Sequence, residues 1–376
     1  MIVIDNRLYN LLKLNCAFGA GSNKAFGIYK AVCDEGMLDL PFDKLIKSEI
    51  FSDDMRERLC GVRKSEILAI IDDCKRFHIT ILPIYDNRFP NCLRNIDVPP
   101  IILYIKGNLP DTDCEPTFCI VGPREITEFG RKAAYSLSRR LSKAGFIIVG
   151  GTAKGGDTAV HKGAVSVGGK SVMITPDGIM TQLKSAKRTM CDEVLKNGCI
   201  ISESPPYFRA QKYHFRIRNR LMSGLSLGVA VVEAPEGSGV IITANHAVDQ
   251  GRDVFVIPGN PTDKAYKGSN ELLRDGATPL IDASDIFSRY IGEFPDKIDL
   301  KKAFSEKKQK IIKKSVSGLS KEAELVYNNL NRSNFSLDDL TGLGINDAQL
   351  LSVLTELEME HIIKPLPGGI YKIITD

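Results

Sequence analysis

The chain has 376 residues, 43% of them hydrophobic, which is enough material for two or three domains with buried cores. Its formal net charge is only +4, so a surface for nucleic acid has to be a local patch and not a field spread over the whole molecule. The nine cysteines form no CxxC pair and the five histidines form no HExxH motif, so neither a zinc ribbon nor a thioredoxin-like site is indicated. We therefore expect no metal and no cofactor.

Two further features concern the location of the protein. No apolar run approaches the roughly 20 residues that a membrane-spanning helix needs, and the first residues, MIVIDNRLYN, lack the pattern of a signal peptide. An odd number of scattered cysteines is typical of a reducing compartment. We therefore expect a soluble, cytoplasmic protein without membrane contact. Histidines 161, 214 and 246 are candidates for ligands or for packed neutral rings, and of the two we expect packing.

Residues 1–80 are predicted to form a small helical domain. Leucines are followed by Phe18-Gly-Ala-Gly21-Ser22, a pattern that resembles the hairpin of a helix-hairpin-helix module. The N–H groups of such a hairpin can hold a DNA phosphate. A turn between two helices that needs glycine to reverse the chain explains the pattern as well, so both interpretations stay open at this point.

Strand and helix signals alternate between residues 81 and 287. Short apolar runs bounded by turn residues predict strands at 79–84, 101–105, 118–121, 146–149, 171–175, 199–202, 229–233, 254–257 and 279–281. Helical patterns begin at Thr127 or Glu128 and near Asp157, and recur at 190–196, 219–223, 243–250 and 269–275. This alternation predicts an α/β fold with an extended, Rossmann-like, doubly wound and mainly parallel sheet.

Glycine-rich loops follow two neighbouring predicted strands, and each loop contains a cation. The candidate residues are Gly122, Arg124 and Thr127 in the first loop, and Lys154, Gly155 and Gly156 in the second. A right-handed parallel crossover brings both loops to the sheet edge at which open α/β sheets bind ligands. Close backbone approach, N–H groups at a helix start and the two cations predict a phosphate site, although such turns also occur for packing alone.

A second cationic cluster is Phe215-Arg-Ile-Arg-Asn-Arg220. Its arginines alternate, so in an extended segment they would share one face. Guanidinium groups bind phosphate in a bidentate manner and stack on bases. We therefore add four residues to the candidate site, namely Arg216, Arg218, Asn219 and Arg220. Rings close by in sequence are candidates for base stacking or for ordinary packing, at Tyr207, Phe208, Tyr213 and Phe215.

The C-terminal part is predicted to consist of a Lys-rich linker at 288–317 and a winged-helix-like domain at 318–376, with three helices and a hairpin. Its third helix, predicted at 348–360, carries Glu356, Glu358 and Glu360 and no Arg or Lys. A helix that reads a DNA groove is basic. Contact with a protein, or a scaffolding role on DNA, therefore fits this domain better than groove reading.

Taken together, these segments resemble the DNA-processing protein A family, DprA, also called Smf. The motifs that carry the resemblance are IVGPREITEFG (120–130), GGTAKGGDTAVHKGA (150–164), ISE (201–203), FRIRNRLMSGLS (215–226), VVEAPEGSGVIITANHAVDQGRDVFVIPG (231–259) and GSNELLRDGA (268–277). The order and spacing of these motifs are highly specific, and they cover residues 79–287. The helical N-terminal domain and the winged-helix-like tail match the accessory domains of the family more weakly.

The resemblance implies a Rossmann-like domain that binds single-stranded DNA, forms a homodimer, and helps to load the recombinase RecA in natural transformation or recombination. It implies a binding protein that protects single-stranded DNA, and not an enzyme. The DNA pocket of the family carries over to Arg124 and Lys154, and Arg218 and Arg220 resemble its further basic rim. For the dimer, the apolar segment 240–247 and the sheet end at 254–257 are the candidate contact surfaces.

Three other interpretations remain. A nucleotide phosphoribohydrolase has a similar sheet and resembles this chain near Pro235-Glu-Gly-Ser-Gly239, but the catalytic Glu that it needs is missing from Ala244-Asn-His-Ala247. A nicotinamide dehydrogenase fits less well, because the first loop is not GxGxxG and no acidic ribose ligand follows the second strand. A purely structural scaffold leaves the cations of both loops unexplained.

Overall fold

The computed structural model describes residues 5–186, 188–304, 319–330, 334–340, 344–366 and 370–374. The chain divides into two compact units, residues 1–303 and 304–376. The first unit contains the helical N-terminal segment and a nine-stranded sheet, and the second contains a three-stranded sheet with helices.

Five helices precede the large sheet: α1 (Asn6–Phe18), α2 (Asn23–Asp34), α3 (Phe42–Leu45), α4 (Asp53–Gly61) and α5 (Lys64–Arg76). The Ser22 side chain caps α2 by accepting from the backbone N–H of Ala25. Leu11 and Leu12 of α1 are fully buried together with Tyr104 of the sheet. The helices and the sheet thus share one core within the first unit, and a domain boundary at residue 80 stays a prediction.

The large sheet has nine strands: β1 (Ile79–Pro83), β2 (Ile102–Gly107), β3 (Thr117–Val121), β4 (Ile147–Gly150), β5 (Ser171–Thr175), β6 (Cys199–Ser202), β7 (Gly228–Val231), β8 (Asp253–Val256) and β9 (Thr278–Pro279). Their order is β1-β2-β6-β5-β4-β3-β7-β8-β9. Strands β3 to β9 run parallel, and β2 is antiparallel to both of its neighbours, β1 and β6. The predicted α/β fold with a mainly parallel, Rossmann-like sheet is confirmed.

Helices flank this sheet: α6 (Asn91–Arg94), α7 (Glu128–Lys143), α8 (Gly156–Val165), α9 (Ile179–Leu183), α10 (Arg188–Val194), α11 (Lys212–Gly224), α12 (Gly239–Asp249), α13 (Lys267–Arg274), α14 (Ala283–Tyr290) and α15 (Leu300–Phe304). A short 3₁₀ helix, Lys264–Tyr266, precedes α13. Helix α7 packs on the sheet through an apolar stripe at helical spacing, since Ala134, Leu137 and Leu141 are buried.

One local prediction is wrong. The arginines at 216, 218 and 220 were expected in an extended segment, but they lie within α11, which begins well before the predicted start at residue 219. Gln211 and His214 form a capping box at its start. Positions two apart in a helix lie roughly 160° apart around its axis, so the three arginines do not share one face.

The second unit contains α16 (Lys321–Asn329), β10 (Asn334–Ser336), a 3₁₀ helix (Leu337–Leu340), α17 (Asp347–Met359), β11 (Ile363–Leu366) and β12 (Ile370–Ile373). Its sheet has the order β10-β12-β11. Val326, Leu354, Leu357 and Ile363 form its core. This arrangement of helices and an antiparallel wing agrees with the predicted winged-helix-like fold.

The predicted linker, 288–317, is only partly described. Its first part contains the end of α14 and the whole of α15, and Ile298 and Ala303 are buried in the core of the first unit. Residues 305–317 lie outside the described part of the chain.

Candidate nucleic-acid interface

An open cleft of about 550 Å³ lies where the strand order reverses, between the loop after β3 and the loop after β7. This is the position at which open α/β sheets bind ligands. Its charged lining residues are Arg124, Glu125, Asp157, Lys212, Arg216 and Arg218. Its further lining includes Phe215, Asn219, Met222, Ser238, Val240 and Thr243. Cations, one aromatic ring and apolar groups thus meet in one place.

Three of these cations are exposed: Arg124, Lys212 and Arg216. Among the ion pairs of the described residues, none involves these three side chains. The guanidinium of Arg124 lies over the ring of Phe215, 5.0 Å from its centre. Positive charge without an internal partner is the condition under which an external anion is attracted most strongly.

Arg218 is different, since only 6% of it is exposed. Its Nη1 donates to the carbonyl of Ile174 at 2.7 Å and lies 2.9 Å from the sulfur of Met222. Burial lowers the pKa of this guanidinium below its usual value, and the carboxylate of Asp157 opposes that shift. Arg218 therefore supplies charge to the inner wall of the cleft from a fixed position.

The start of α7 is already occupied by an internal carboxylate. Thr127 caps this helix, and its backbone N–H lies 3.2 Å from each carboxylate oxygen of Glu233, which is fully buried. The Thr127 hydroxyl donates to the same carboxylate at 2.7 Å. The sequence predicted this helix start as part of the phosphate site, but the position that an anion prefers is taken by Glu233. Thr127 therefore serves as a cap.

The second glycine loop packs against the first. The Gly156 N–H donates to the carbonyl of Pro123 at 3.0 Å. Gly155 has φ +79°, and a Cβ atom there would lie 2.3 Å from the Arg124 carbonyl oxygen. Glycine is thus required at 155 both for the left-handed backbone and for the contact between the loops. Lys154 is exposed on this loop, outside the set of described residues that line the cleft.

A buried histidine supports the second loop from behind. His161 Nε2 lies 2.9 Å from the Gly151 carbonyl, and Nδ1 lies 2.8 Å from the Ser171 hydroxyl. A carbonyl can only accept, so Nε2 carries the proton and Nδ1 accepts from the hydroxyl. Burial lowers the pKa of His161 below 6.5. The ring is neutral and holds the loop, as the sequence predicted for this histidine.

The start of α12 is open, in contrast to that of α7. The Ser238 side chain caps it by accepting from the Val240 N–H at 3.3 Å. Added Cβ atoms at Gly237 and Gly239 would meet no heavy atom within 4 Å. The Pro-Glu-Gly-Ser-Gly segment belongs to a motif of the family resemblance and also resembles the hydrolases, but neither this segment nor Lys212 is among the residues predicted from the sequence for the site. The signal in the sequence that could have identified this segment is the pair Gly237 and Gly239 at the start of a helix, where an anion can approach the backbone.

The structure therefore separates the ten candidate residues into two groups. The cleft is lined by Gly122, Arg124, Arg216, Arg218 and Asn219. Elsewhere lie Thr127, Lys154, Gly155, Gly156 and Arg220. Arg220 is buried in an ion pair with Glu203, so its assignment as a DNA contact stays a prediction that this geometry does not favour.

The described residues contain no group of three or more His, Cys, Asp or Glu side chains placed to hold a metal ion. No helix within them is both long and apolar enough to cross a bilayer.

Comparison with known proteins identifies the family of the chain. Residues 80–291 match the family described as DNA recombination-mediator protein A. The chain is 34% identical over 209 residues to the DNA processing protein DprA of Bacillus subtilis (strain 168), which covers 56% of this chain and 70% of that protein. It is also 34% identical to the DprA of Streptococcus pneumoniae (strain ATCC BAA-255 / R6), over 55% of this chain and 73% of that protein.

Two solved structures are similar. The X-ray structure of DprA from Streptococcus pneumoniae superposes with a TM-score of 0.65 at 27% identity, covering 77% of this chain and 98% of that one. A structure of DNA processing protein A from Helicobacter pylori, described for its single-stranded DNA binding mode, gives a TM-score of 0.52 at 27% identity and covers 58% and 97%. The chain thus belongs to the DNA recombination-mediator protein A family.

Proposed function

We propose that this protein binds single-stranded DNA in the cleft between β3 and β7, and that it acts by binding and not by catalysis. The observation that carries the proposal is the set of exposed cations, Arg124, Lys212 and Arg216, around an open cleft at the switch point of the sheet. These cations form no ion pair with described residues, so their charge is available to a phosphate backbone.

The surroundings of the cations favour a single strand over a duplex. A single strand needs a groove of positive charge together with surfaces on which bases can stack. Phe215, Met222 and Val240 supply apolar and aromatic wall in the same cleft. The long helix of the second unit, α17, has the sequence DAQLLSVLTELEM without a cation, so it does not favour reading of a duplex groove. The Helicobacter pylori relative, described for single-stranded DNA binding, supports the same choice.

The open start of α12 is the place that we propose for one phosphate of the strand. A helix start attracts an anion through its free N–H groups and the helix dipole. Gly237 and Gly239 leave room for close approach, and Asn219 lies beside them with its Nδ2 3.3 Å from the Gly239 carbonyl. At the start of α7, by contrast, a phosphate would have to displace Glu233.

The wider role is DNA processing in recombination or transformation, with protection of single-stranded DNA and loading of RecA. The curated relatives are named DNA processing proteins, and this naming supports the proposal. We further propose a homodimer through the first unit, but not through the segment 240–247. Val240, Ala244 and Ala247 are buried in the core, so these three residues offer no surface to a second copy.

A different surface fits a dimer contact better. Phe129 and Ile281 are 61% and 76% exposed. Together with Ile257 they line a shallow groove of about 220 Å³ between α7 and the edge of the sheet at β9. Exposed apolar side chains beside an edge strand form a surface that a second copy can cover.

The test of the proposed function is a salt titration with labelled single-stranded and double-stranded oligonucleotides of the same length. We expect tighter binding of the single strand, little dependence on its sequence, and a fall in log K of roughly 0.7 per phosphate contact for each unit of log salt. Equal or stronger binding of the duplex at moderate salt would overturn the proposal. Release of ribose phosphate from a nucleoside monophosphate, measured in parallel, would instead favour the phosphoribohydrolase alternative.

A further inference from the structure

Helix α11 has two sides with different partners. Phe215 and Asn219 line the cleft. At about 100° per residue, Ile217 lies roughly 160° around the helix axis from Asn219. Ile217 faces the N-terminal hairpin, which consists of α1, α2 and the turn between them, because an added Cβ at Gly21 would lie 2.2 Å from the Cγ2 atom of Ile217. Arg220 is on the hairpin side as well, with Nη2 3.4 Å from that same position. Whatever holds the hairpin side of α11 therefore sets the position of the cleft side.

A buried ion pair holds the hairpin side. Arg220 Nη2 donates to both carboxylate oxygens of Glu203 at 2.7 Å, and the two side chains are only 7% and 8% exposed. The same carboxylate accepts from the backbone N–H of Gly21 at 3.0 Å. Glu203 thus joins the arginine of α11 to the turn between α1 and α2.

Two main-chain contacts extend this connection on either side. The Asn15 side chain of α1 donates to the carbonyl of Glu203 at 3.1 Å. The carbonyl of Arg220 accepts from the Gln250 side chain, just after α12, at 3.0 Å. The connection therefore runs from the N-terminal hairpin through Glu203 and Arg220 to the helix whose start lines the opposite wall of the cleft.

We infer that Glu203 and Arg220 are positioning residues for DNA binding: they lock α11 to the N-terminal hairpin and thereby fix the cleft wall that carries Arg216, Arg218 and Asn219. This inference rests on the proposed function. It assigns Arg220 a role different from that of a phosphate contact, and it assigns the turn at Gly21 a role different from that of a DNA-binding hairpin. The backbone N–H of Gly21, which a phosphate would use in such a hairpin, already donates to the carboxylate of Glu203.

The burial of the pair argues for this role over direct contact. Nε and Nη1 of Arg220 are buried and have no hydrogen-bond partner among the described atoms, and Nη2 is shared between two carboxylate oxygens. A phosphate that replaced Glu203 on Nη2 would break the ion pair and leave a buried carboxylate with the Gly21 N–H but without its counter-ion, which is strongly unfavourable. The pair is instead suited to hold one arrangement of two segments that lie far apart in sequence.

The first experiment compares Glu203→Gln and Arg220→Gln in the full-length chain, with Glu193→Gln as control for the loss of an exposed, ion-paired carboxylate. Positioning predicts that Glu203→Gln weakens single-stranded DNA binding about three- to tenfold, although it removes a negative charge. It predicts the same loss of affinity for Arg220→Gln and for the double variant, and an unchanged slope of log K against log salt in all three. If Arg220 instead contacts a phosphate directly, the slope of log K against log salt should be smaller by roughly 0.7 for Arg220→Gln only. Glu203→Gln should then bind DNA as strongly as the wild type.

The second experiment uses a matched pair of glycines in the same turn. Gly19 and Gly21 both have positive φ, +78° and +66°, but an added Cβ meets nothing within 4 Å at Gly19 and clashes with Ile217 at Gly21. Both Gly19→Ala and Gly21→Ala carry backbone strain, and only Gly21→Ala pushes against α11. We expect Gly21→Ala to weaken DNA binding and Gly19→Ala to bind at wild-type strength.

All variants are measured well below their melting temperatures, with circular dichroism as a check that they are folded. Equal affinities for Gly19→Ala and Gly21→Ala, or undiminished binding by Glu203→Gln, would overturn the inference. If a variant of the ion pair does not fold, the glycine pair decides. A wild-type protein that fails to bind single-stranded DNA would overturn the proposed function itself, which is a separate outcome.

Discussion

The guanidinium carbon of Arg124 lies 5.0 Å from the centre of the Phe215 ring. This contact joins the loop after β3 to the first turns of α11 at the mouth of the cleft. A cation over an aromatic face is held in position by the ring quadrupole, with an energy of about 0.5–1 kcal/mol at an exposed site. Arg124 is therefore both exposed and oriented, which makes it the cation best placed to meet a DNA backbone.

The first prediction concerns the two loop cations. Arg124→Ala should weaken single-stranded DNA binding by about 1–3 kcal/mol, as expected for a lost charge-assisted hydrogen bond. Lys154→Ala should have a smaller effect, because Lys154 lies outside the cleft lining. The double variant should lose less than the sum if both side chains hold the same stretch of backbone.

Lys132→Ala is the control for these variants, since Lys132 is an exposed cation of α7 that pairs with Glu128. It should bind DNA at wild-type strength, and none of these four variants should melt much earlier than the wild type. If Arg124→Ala lowered the melting temperature by several degrees but bound DNA normally once folded, the cleft would lose its main support as the DNA site.

The second prediction concerns Phe215. If a base stacks on this ring, Phe215→Leu should weaken binding by about 1–3 kcal/mol for a normal strand. The same change should cost less with an abasic strand of equal length, because no base is there to stack. Fluorescence anisotropy with the two strands measures the difference. An equal loss with both strands would show that the ring acts only by holding Arg124.

The third prediction separates Thr127 from DNA binding. Thr127→Ala removes the cap of α7 and the hydroxyl donor to the buried Glu233, so it should lower stability by about 0.5–2 kcal/mol. Thr127→Ser retains both hydrogen bonds and should be nearly as stable as the wild type. Denaturant unfolding measures the loss, and DNA affinity at low temperature should be the same for all three proteins. Weaker binding by folded Thr127→Ala would place this residue in the site after all.

The fourth prediction is a dependence of stability on pH that comes from His161. Burial lowers the pKa of this ring, so as the pH falls the unfolded chain takes up a proton before the folded protein does. The contribution of His161 to the stability of the fold is therefore complete above about pH 6.5, the ordinary pKa of histidine. This contribution is lost as the pH falls through the lower pKa that the ring has in the folded protein.

Melting temperatures between pH 8 and pH 5 test this prediction. His161→Gln should be less stable than the wild type at pH 8 and should lose less on acidification. His78→Asn is the control, since His78 is exposed and Asn also tolerates its positive φ of 52°. A pH profile of His161→Gln that runs parallel to that of the wild type would show that other groups cause the acid sensitivity.

The fifth prediction concerns the dimer. Ile281→Glu, alone or with Phe129→Glu, should give a monomer in light scattering, because it places charge in the apolar groove at the β9 edge. Val248→Glu changes an equally prominent apolar residue, 63% exposed, and should leave the dimer intact. Deletion of 318–376 should also leave it intact. A monomer after that deletion would move the contact to the second unit.

The sequence alone was sufficient for the main elements of the fold. Strands β5 and β6 have the bounds predicted from their apolar runs, 171–175 and 199–202. Parallel strands buried on both faces carry a continuous apolar run that ends at turn residues, so their signal is local. The two glycine loops after β3 and β4 are equally local patterns, and Arg124, a candidate residue of the first loop, lines the cleft.

Only the tertiary structure decided which of the candidate groups faces the cleft. Arg216 and Arg220 are one helical turn apart in α11, yet one lines the cleft and the other is buried against Glu203. The carboxylate at the start of α7 comes from Glu233, 106 residues away in sequence. Burial and charge compensation depend on partners that the fold brings together from distant segments, and no local pattern in the sequence records which cation has such a partner.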